Sequence, residues 1–202
     1  MPMNDAARNK AVDGIAGAVG FISYHTAIPD ATGSAEVAGG TYARQAVAWA
    51  ASALGLKANS GALTHAIPAS TTVVATGKWS ALTVGTFYGS DLIGSTKKGS
   101  GPAVATTDTI TSYGHGLANT NRVIVQTLVG QTLPAGLSAT VVYFVIGATT
   151  DTFQVALTSG GAAVDITANG HLYWQDLVPE TYGSAGNAAL AIGAIVLDSS
   201  GL

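Results

Sequence analysis

Charged side chains are the scarcest class in this sequence: Asp, Glu, Lys and Arg together supply 9% of it, against about 25% in an ordinary soluble domain. A folded chain of this kind must cover its surface with Ser, Thr, Asn and Gly, or with other protein. The hydrophobic share is 48%, yet aromatics account for only 7%, so Ala and Val carry most of it. The 26 Gly are about twice average use, and Gly plus Pro stay below the level of disordered chains. With 202 residues there is room for one large domain or two small ones.

Composition also removes several functions. Eight Lys and Arg, scattered among eleven Asp and Glu, give a net charge of −3 and no basic footprint for nucleic acid. The absence of Cys excludes disulfides, thiol nucleophiles and thiolate-bound zinc. No apolar run approaches the roughly 20 residues that span a bilayer, so no membrane insertion is expected. The nearest approach to a signal peptide, Arg8-Asn9-Lys10 followed by residues 11–23, is broken by Asp13, Gly14, Gly17 and Gly20.

Periodicity predicts a short N-terminal helix over residues 4–18, capped by Asn4 or Asp5, with Ala7, Ala11, Ile15 and Val19, and Val12 and Ala16 alongside, as its apolar stripe. Gly20 ends it. Candidate strands follow at 21–26, 41–50, 61–67, 71–79 and 82–88, a spacing typical of β-sandwiches and barrels. Residues 50–56 are ambiguous. Residues 89–102 are dense in Gly and Ser and mark a boundary. Beyond it, short strands are expected at 122–128, 140–146, 152–157, 162–166 and 171–174, with Asn169-Gly170 as a two-residue type I′ turn. After Pro179 the style of the first half returns, in one long strand at 188–197 with a bulge at Gly193. The expected fold is therefore mainly β: an antiparallel β-sandwich with a short N-terminal helix, built from 1–104 and 177–202, and a second small β domain, 105–176, inserted between its strands.

Phe21-Ile-Ser-Tyr-His-Thr-Ala-Ile-Pro-Asp-Ala-Thr-Gly-Ser-Ala-Glu36 and Gly40-Thr-Tyr-Ala-Arg-Gln-Ala-Val-Ala-Trp49 resemble the N-terminal half of small tail-fibre or minor tail proteins of actinobacterial siphophages. The run from Thr181 to Gly193 is similar to the same family's ending. His115-Gly-Leu, Arg122-Val, Leu133-Pro-Ala-Gly-Leu137, Tyr143, Thr150-Asp-Thr-Phe-Gln154 and Gly160-Gly161 resemble a module that recurs in phage tail and fibre proteins. The resemblance implies a non-enzymatic virion structural protein, made in the host cytoplasm. It would be a homo-oligomer, a trimer for instance, packed on other virion proteins, with the tail favoured over the head. A capsid decoration protein and a carbohydrate-binding receptor module contacting envelope glycan are the alternatives. The insertion departs from the pattern of shorter relatives.

No catalytic, cofactor or metal set emerges. His25, Asp30 and Glu36 share one region, but lack ligand spacing; the simpler expectation is that Asp30 caps a turn, His25 meets backbone and Glu36 is solvated. Gly14 to Gly20 is no phosphate loop, since it follows a helix rather than a strand. Tyr113, His115, His171, Tyr173 and Trp174 bracket the insertion and are expected to cluster at its base. There they would either glue it to the host, the favoured reading, or form a sugar platform. Ile15, Val19, Trp49 and Trp79 are candidate core or subunit-interface anchors. Lys97-Lys98, the one basic doublet, reads as a solvated tip.

Overall fold

The computed structural model describes residues 3–199; the outermost residues assigned above to the host segment, 1–2 and 200–202, lie outside them. The chain is mainly β, antiparallel, with one short helix. It divides into two compact units, residues 1–91 with 181–202, and residues 92–180.

In the first unit, α1 (Asp5–Ala18) begins where the Asn4 side chain accepts the Ala7 N–H at 2.9 Å. Strands β1 (Phe21–His25), β2 (Gln45–Ala46), β3 (Leu56–Ala58), β4 (Leu63–Ile67), β5 (Thr71–Val73), β6 (Ala75–Trp79) and β7 (Phe87–Leu92) follow. The second unit contributes β8 (Lys98–Val104), β9 (Thr109–Thr111), β10 (Arg122–Thr127), β11 (Tyr143–Ile146), β12 (Thr152–Ala156) and β13 (Gly170–Leu177). The chain then returns through β14 (Glu180–Tyr182), β15 (Gly186–Leu190) and β16 (Val196–Asp198).

The first unit is sandwich-like. One sheet runs β2-β1-β6-β7, and the returning strands pair as β14-β5, β15-β4 and β16-β3. Among the described residues, apolar clusters form from Val19, Ile22, Leu63 and Ile195, and from Val12 and Ala16 of the helix against Leu197. Of the expected stripe the helix buries Val12, Ala16 and Val19, while Ala7 is exposed and Ala11 and Ile15 are only half-buried. Polar ties to β3 and its flanks accompany that packing. Lys57 Nζ meets Asp13 at 2.6 Å, and the Gly55 N–H is donated to Asn9 at 2.7 Å.

The second unit is a closed antiparallel barrel, β10-β11-β12-β9-β8-β13, around Ile110, Val123, Val125, Tyr143, Val145, Phe153, Leu172 and Trp174. Closure leaves the barrel no free sheet edge to cover. Its two ends meet: the Val178 N–H is donated to the Ile93 carbonyl at 2.8 Å.

Several expectations change. The inserted unit is wider than 105–176 because residues 98–104, assigned above to the host segment and up to Pro102 to its punctuation, form barrel strand β8. Residues 41–50 supply only the two-residue β2, because side chains hold this stretch: the Tyr42 hydroxyl takes the Tyr24 N–H at 2.8 Å, and Arg44 turns inward. Residues 82–86 are loop, and the strand starts at Phe87. Asn169-Gly170 is no hairpin turn; Asn169 Oδ1 accepts the Ala105 N–H at 2.7 Å, and β13 starts at Gly170. Residues 162–166 make only a bridge, Ala156 with Ala163. Gly193, at φ +79°, sits between β15 and β16, which pair with different strands, so 188–197 is two strands rather than one.

Candidate functional site

Two places concentrate polar chemistry, one in each unit. In the first, Ser23 and His25 lie two apart on β1 and share its buried face. Opposite Ser23 in register is Gly77, where a Cβ would collide with Ser23 Oγ and His25 Nε2, so a glycine there makes the pair possible. The Ser34 carbonyl can only accept, which assigns the hydrogen of His25 to Nδ1, at 2.8 Å. Nε2 must then accept the Ser23 hydroxyl at 2.8 Å, and the Ser23 oxygen in turn takes the Trp79 Nε1–H at 2.9 Å. Every member is committed.

The same unit seats an ion pair. Arg44 donates from Nε and Nη2 to Glu36, the latter at 2.7 Å, and from Nη1 to the Ala81 and Val84 carbonyls at 2.9 and 2.6 Å. Its guanidinium lies 3.5 Å from the Trp79 ring centroid. Asp30 accepts the Thr32 N–H at 2.8 Å, the turn cap expected of it, and His25 meets backbone; Glu36, expected to be solvated, is instead paired with Arg44. His25, Asp30 and Glu36 therefore serve the fold. Among the described residues no group of three or more His, Asp or Glu is placed to hold a metal ion.

With 0% exposure for both Ser23 and His25, this serine–histidine pair is sealed from any substrate. Burial holds His25 below the usual imidazole range, more than the Ser34 contact and nearby Glu36 raise it.

The second place is a groove of about 540 Å³ on the barrel unit. It opens where residues 112–115 leave β9 beside the first half of β8. Lys97, Lys98 and Ser100 line one side, Ser112 and Tyr113 the other, with His115 and Trp174 beneath. Of the five aromatic and histidine residues expected at the base of the insertion, three meet here. His115 and Trp174 are 6.3 Å apart, edge to face, and Tyr113 stands at the rim, 85% exposed. His171 and Tyr173 do not join them, because residues on β13 alternate: Leu172 and Trp174 face the barrel interior, leaving His171 exposed and Tyr173 half-buried. Trp174, 1% exposed and packed on Phe153, is no open sugar platform; it belongs to the barrel's own core.

Lys97 is not a free tip, since its Nζ reaches the Gly116 carbonyl at 2.6 Å. Sequence reasoning missed Ser112 and Gly99, which no motif flags. In the first unit, Val19 and Trp79 are core residues, while Ile15 and Trp49 pack half-buried against the same clusters; Trp49 Nε1 donates to the Val19 carbonyl at 2.9 Å. All four are anchors of the fold.

A smaller groove of about 410 Å³, lined by residues 40–41, 66–68 and 185–187, has Thr41 and Asn187 as its only polar side chains. Among the described residues no helix is long and apolar enough to cross a membrane. Comparisons with protein-family models, curated proteins and solved structures give no match to this chain.

Proposed function

We propose that this chain is a non-enzymatic structural component of a bacteriophage virion, a minor tail or tail-fibre protein that associates with copies of itself and packs on neighbouring tail proteins. The tail-protein resemblance of residues 21–49 and 181–193 supports the family. The observation that carries self-association is a pair of apolar hairpin tips held out against local strain.

Val84 has φ +57° and 84% exposure, and Leu54 has φ +53° and 64% exposure. Bulky side chains disfavour this left-handed region, and a β-branched one is a genuine outlier. Such strain persists only where surrounding structure enforces it, and here Arg44 grips the Val84 carbonyl. A few residues beyond Leu54, the outward face of the β3–β16 ladder shows Leu56 and Val196, both 44% exposed. These side chains add little to the core of a lone chain. They make sense as surfaces covered by a companion, and the scarcity of charge lowers the cost of covering them.

Sedimentation of the full chain tests this. A single species at a multiple of 20.0 kDa is expected, shifting toward the monomer in Val84→Asp and Leu54→Asp. A 20.0 kDa species persisting at all concentrations would overturn self-association. Immunogold labelling of particles tests the location: label along the tail is expected, and label on the head would favour decoration of the capsid.

A further inference from the structure

We propose that the groove on the barrel unit is a binding site for a carboxylate carried on a ring. The proposal goes beyond structural assembly, and it stands or falls whatever the oligomeric state.

The first observation is an orphaned donor. The chain has three Trp. Two satisfy their indole N–H inside the fold, Trp49 on the Val19 carbonyl and Trp79 on Ser23. Trp174 Nε1, in the most deeply buried of the three rings, has no partner among the described residues. An unpaired buried donor destabilises the fold, so an acceptor arriving there recovers that loss. The indole N–H can only donate.

The second is the niche beside it. Gly99 is the direct cross-strand partner of Trp174. A Cβ at Gly99 would stand 2.8 Å from Trp174 Cζ2, and 3.0 Å from both Trp174 Cε2 and Ser112 Oγ. The indole edge that bears Nε1 and the Ser112 hydroxyl thus close over Gly99, and only glycine at that position lets the two come together in the lining of the groove.

The third is charge. Lys97 and Lys98 are the charged side chains of the lining, and no acid joins them. Two carboxylates hold the backbone of this wall without lining the groove themselves. Asp176 takes the Thr96 and Lys97 N–H groups at 2.7 Å, with the Ser95 and Thr96 hydroxyls, and Asp151 takes the Gly114 N–H at 2.9 Å. His115 is spent too, accepting the Leu117 N–H on Nδ1 and facing the Thr152 carbonyl with Nε2. What remains is a set of donors and cations in a chain of net negative charge, a setting for an anionic acceptor.

Tyr113 supplies the ring preference, since its exposed aromatic face at the rim suits a flat or sugar ring attached to the carboxylate. The volume lies within the roughly 300–1,000 Å³ of small-molecule clefts. A uronic sugar and an aromatic acid share this chemistry, and titration separates them.

The test uses the full-length, ¹⁵N-labelled protein and its indole N–H resonances. Trp174→Phe identifies the Trp174 signal; if that variant does not fold, through-space contacts to Gly99 and Ser112 identify it instead. Sodium glucuronate and sodium benzoate are titrated at constant ionic strength, beside glucose and sodium acetate. The Trp174 resonance is expected to move to saturation with at least one ring carboxylate while those of Trp49 and Trp79 stay in place, and the tighter of the two names the source. Lys98→Gln and Tyr113→Ala, both at exposed side chains, are expected to weaken binding at least fivefold with the melting temperature unchanged. The proposal is overturned if neither ring carboxylate moves the Trp174 signal, if acetate or glucose moves it as readily, or if both variants bind like the parent chain.

Discussion

His65 donates from Nε2 to the Ile22 carbonyl at 2.9 Å and leaves Nδ1 bare in the core, between the rings of Tyr24 and Tyr42. A proton arriving on Nδ1 would find no acceptor. At His25 the proton would arrive on Nε2, which the Ser23 hydroxyl already occupies as donor. Burial therefore holds both imidazoles below their usual range, with backbone contacts and Glu36 as smaller opposing influences. The consequence for acid follows from linkage. Below about pH 6.5 the unfolded chain binds protons that the folded chain refuses, so stability is full above that pH and falls as pH drops toward the lowered folded values. Each histidine contributes a slope of at most about 1.4 kcal/mol per pH unit in that window. Urea midpoints of the first unit, followed by Trp fluorescence, should be flat from pH 8 to 7 and decline from 6.5 to 5.5. A midpoint constant across that range would show that neither histidine is held neutral.

Among elements, β8 is the instructive one. Its sequence, Lys-Gly-Ser-Gly-Pro-Ala-Val, has the look of a linker, and Pro within a run normally argues against a strand. The structure explains the composition by what lies against it. Trp174 covers Gly99, and a Cβ on Gly101 would collide with the Thr111 carbonyl. Small residues here are the complement of a large one on β13, and no single-strand pattern encodes a complement. The sequence did reveal β12 and the first half of β13, because their inward residues are large and apolar and each reads alone. The groove was half legible for the same reason: Tyr113, His115 and Trp174 stand out by type, whereas Gly99 and Ser112 matter only through their neighbours. Gly101→Ala should therefore cost more than the roughly 1–3 kcal/mol of ordinary overpacking, since the obstacle is backbone. It should abolish the near-ultraviolet signal of the buried Trp174. Gly183→Ala, with open space around it and no positive φ, should leave the melt unchanged. Equal melts for the two variants would refute this account of β8.

For the molecule as a whole, the change of style after Pro179 made an insertion legible, but its edges were lost with β8. The second unit has what an independent fold requires. Its core draws only on its own residues, from Ala103 to Trp174. Its sheet closes on itself, with β10 joined to β13 over six residue pairs, so excision exposes no sheet edge within it. Its ends are tied together by the Val178–Ile93 hydrogen bond, and Asp176 pins the entering Thr96–Lys97 turn from the exiting strand. Adjacent ends are what let a domain be inserted into, or removed from, a host. Residues 92–180 expressed alone should thus melt cooperatively as a monomer, with the blue-shifted emission of a buried Trp174, their single tryptophan. The boundary can be resolved by the same experiment. A piece cut at 105–176 lacks β8, the strand that joins β9 to β13, so the barrel cannot close and the piece should stay unfolded. If 105–176 folded as well as 92–180, β8 would be a linker after all, and the closed barrel would not be the unit of stability.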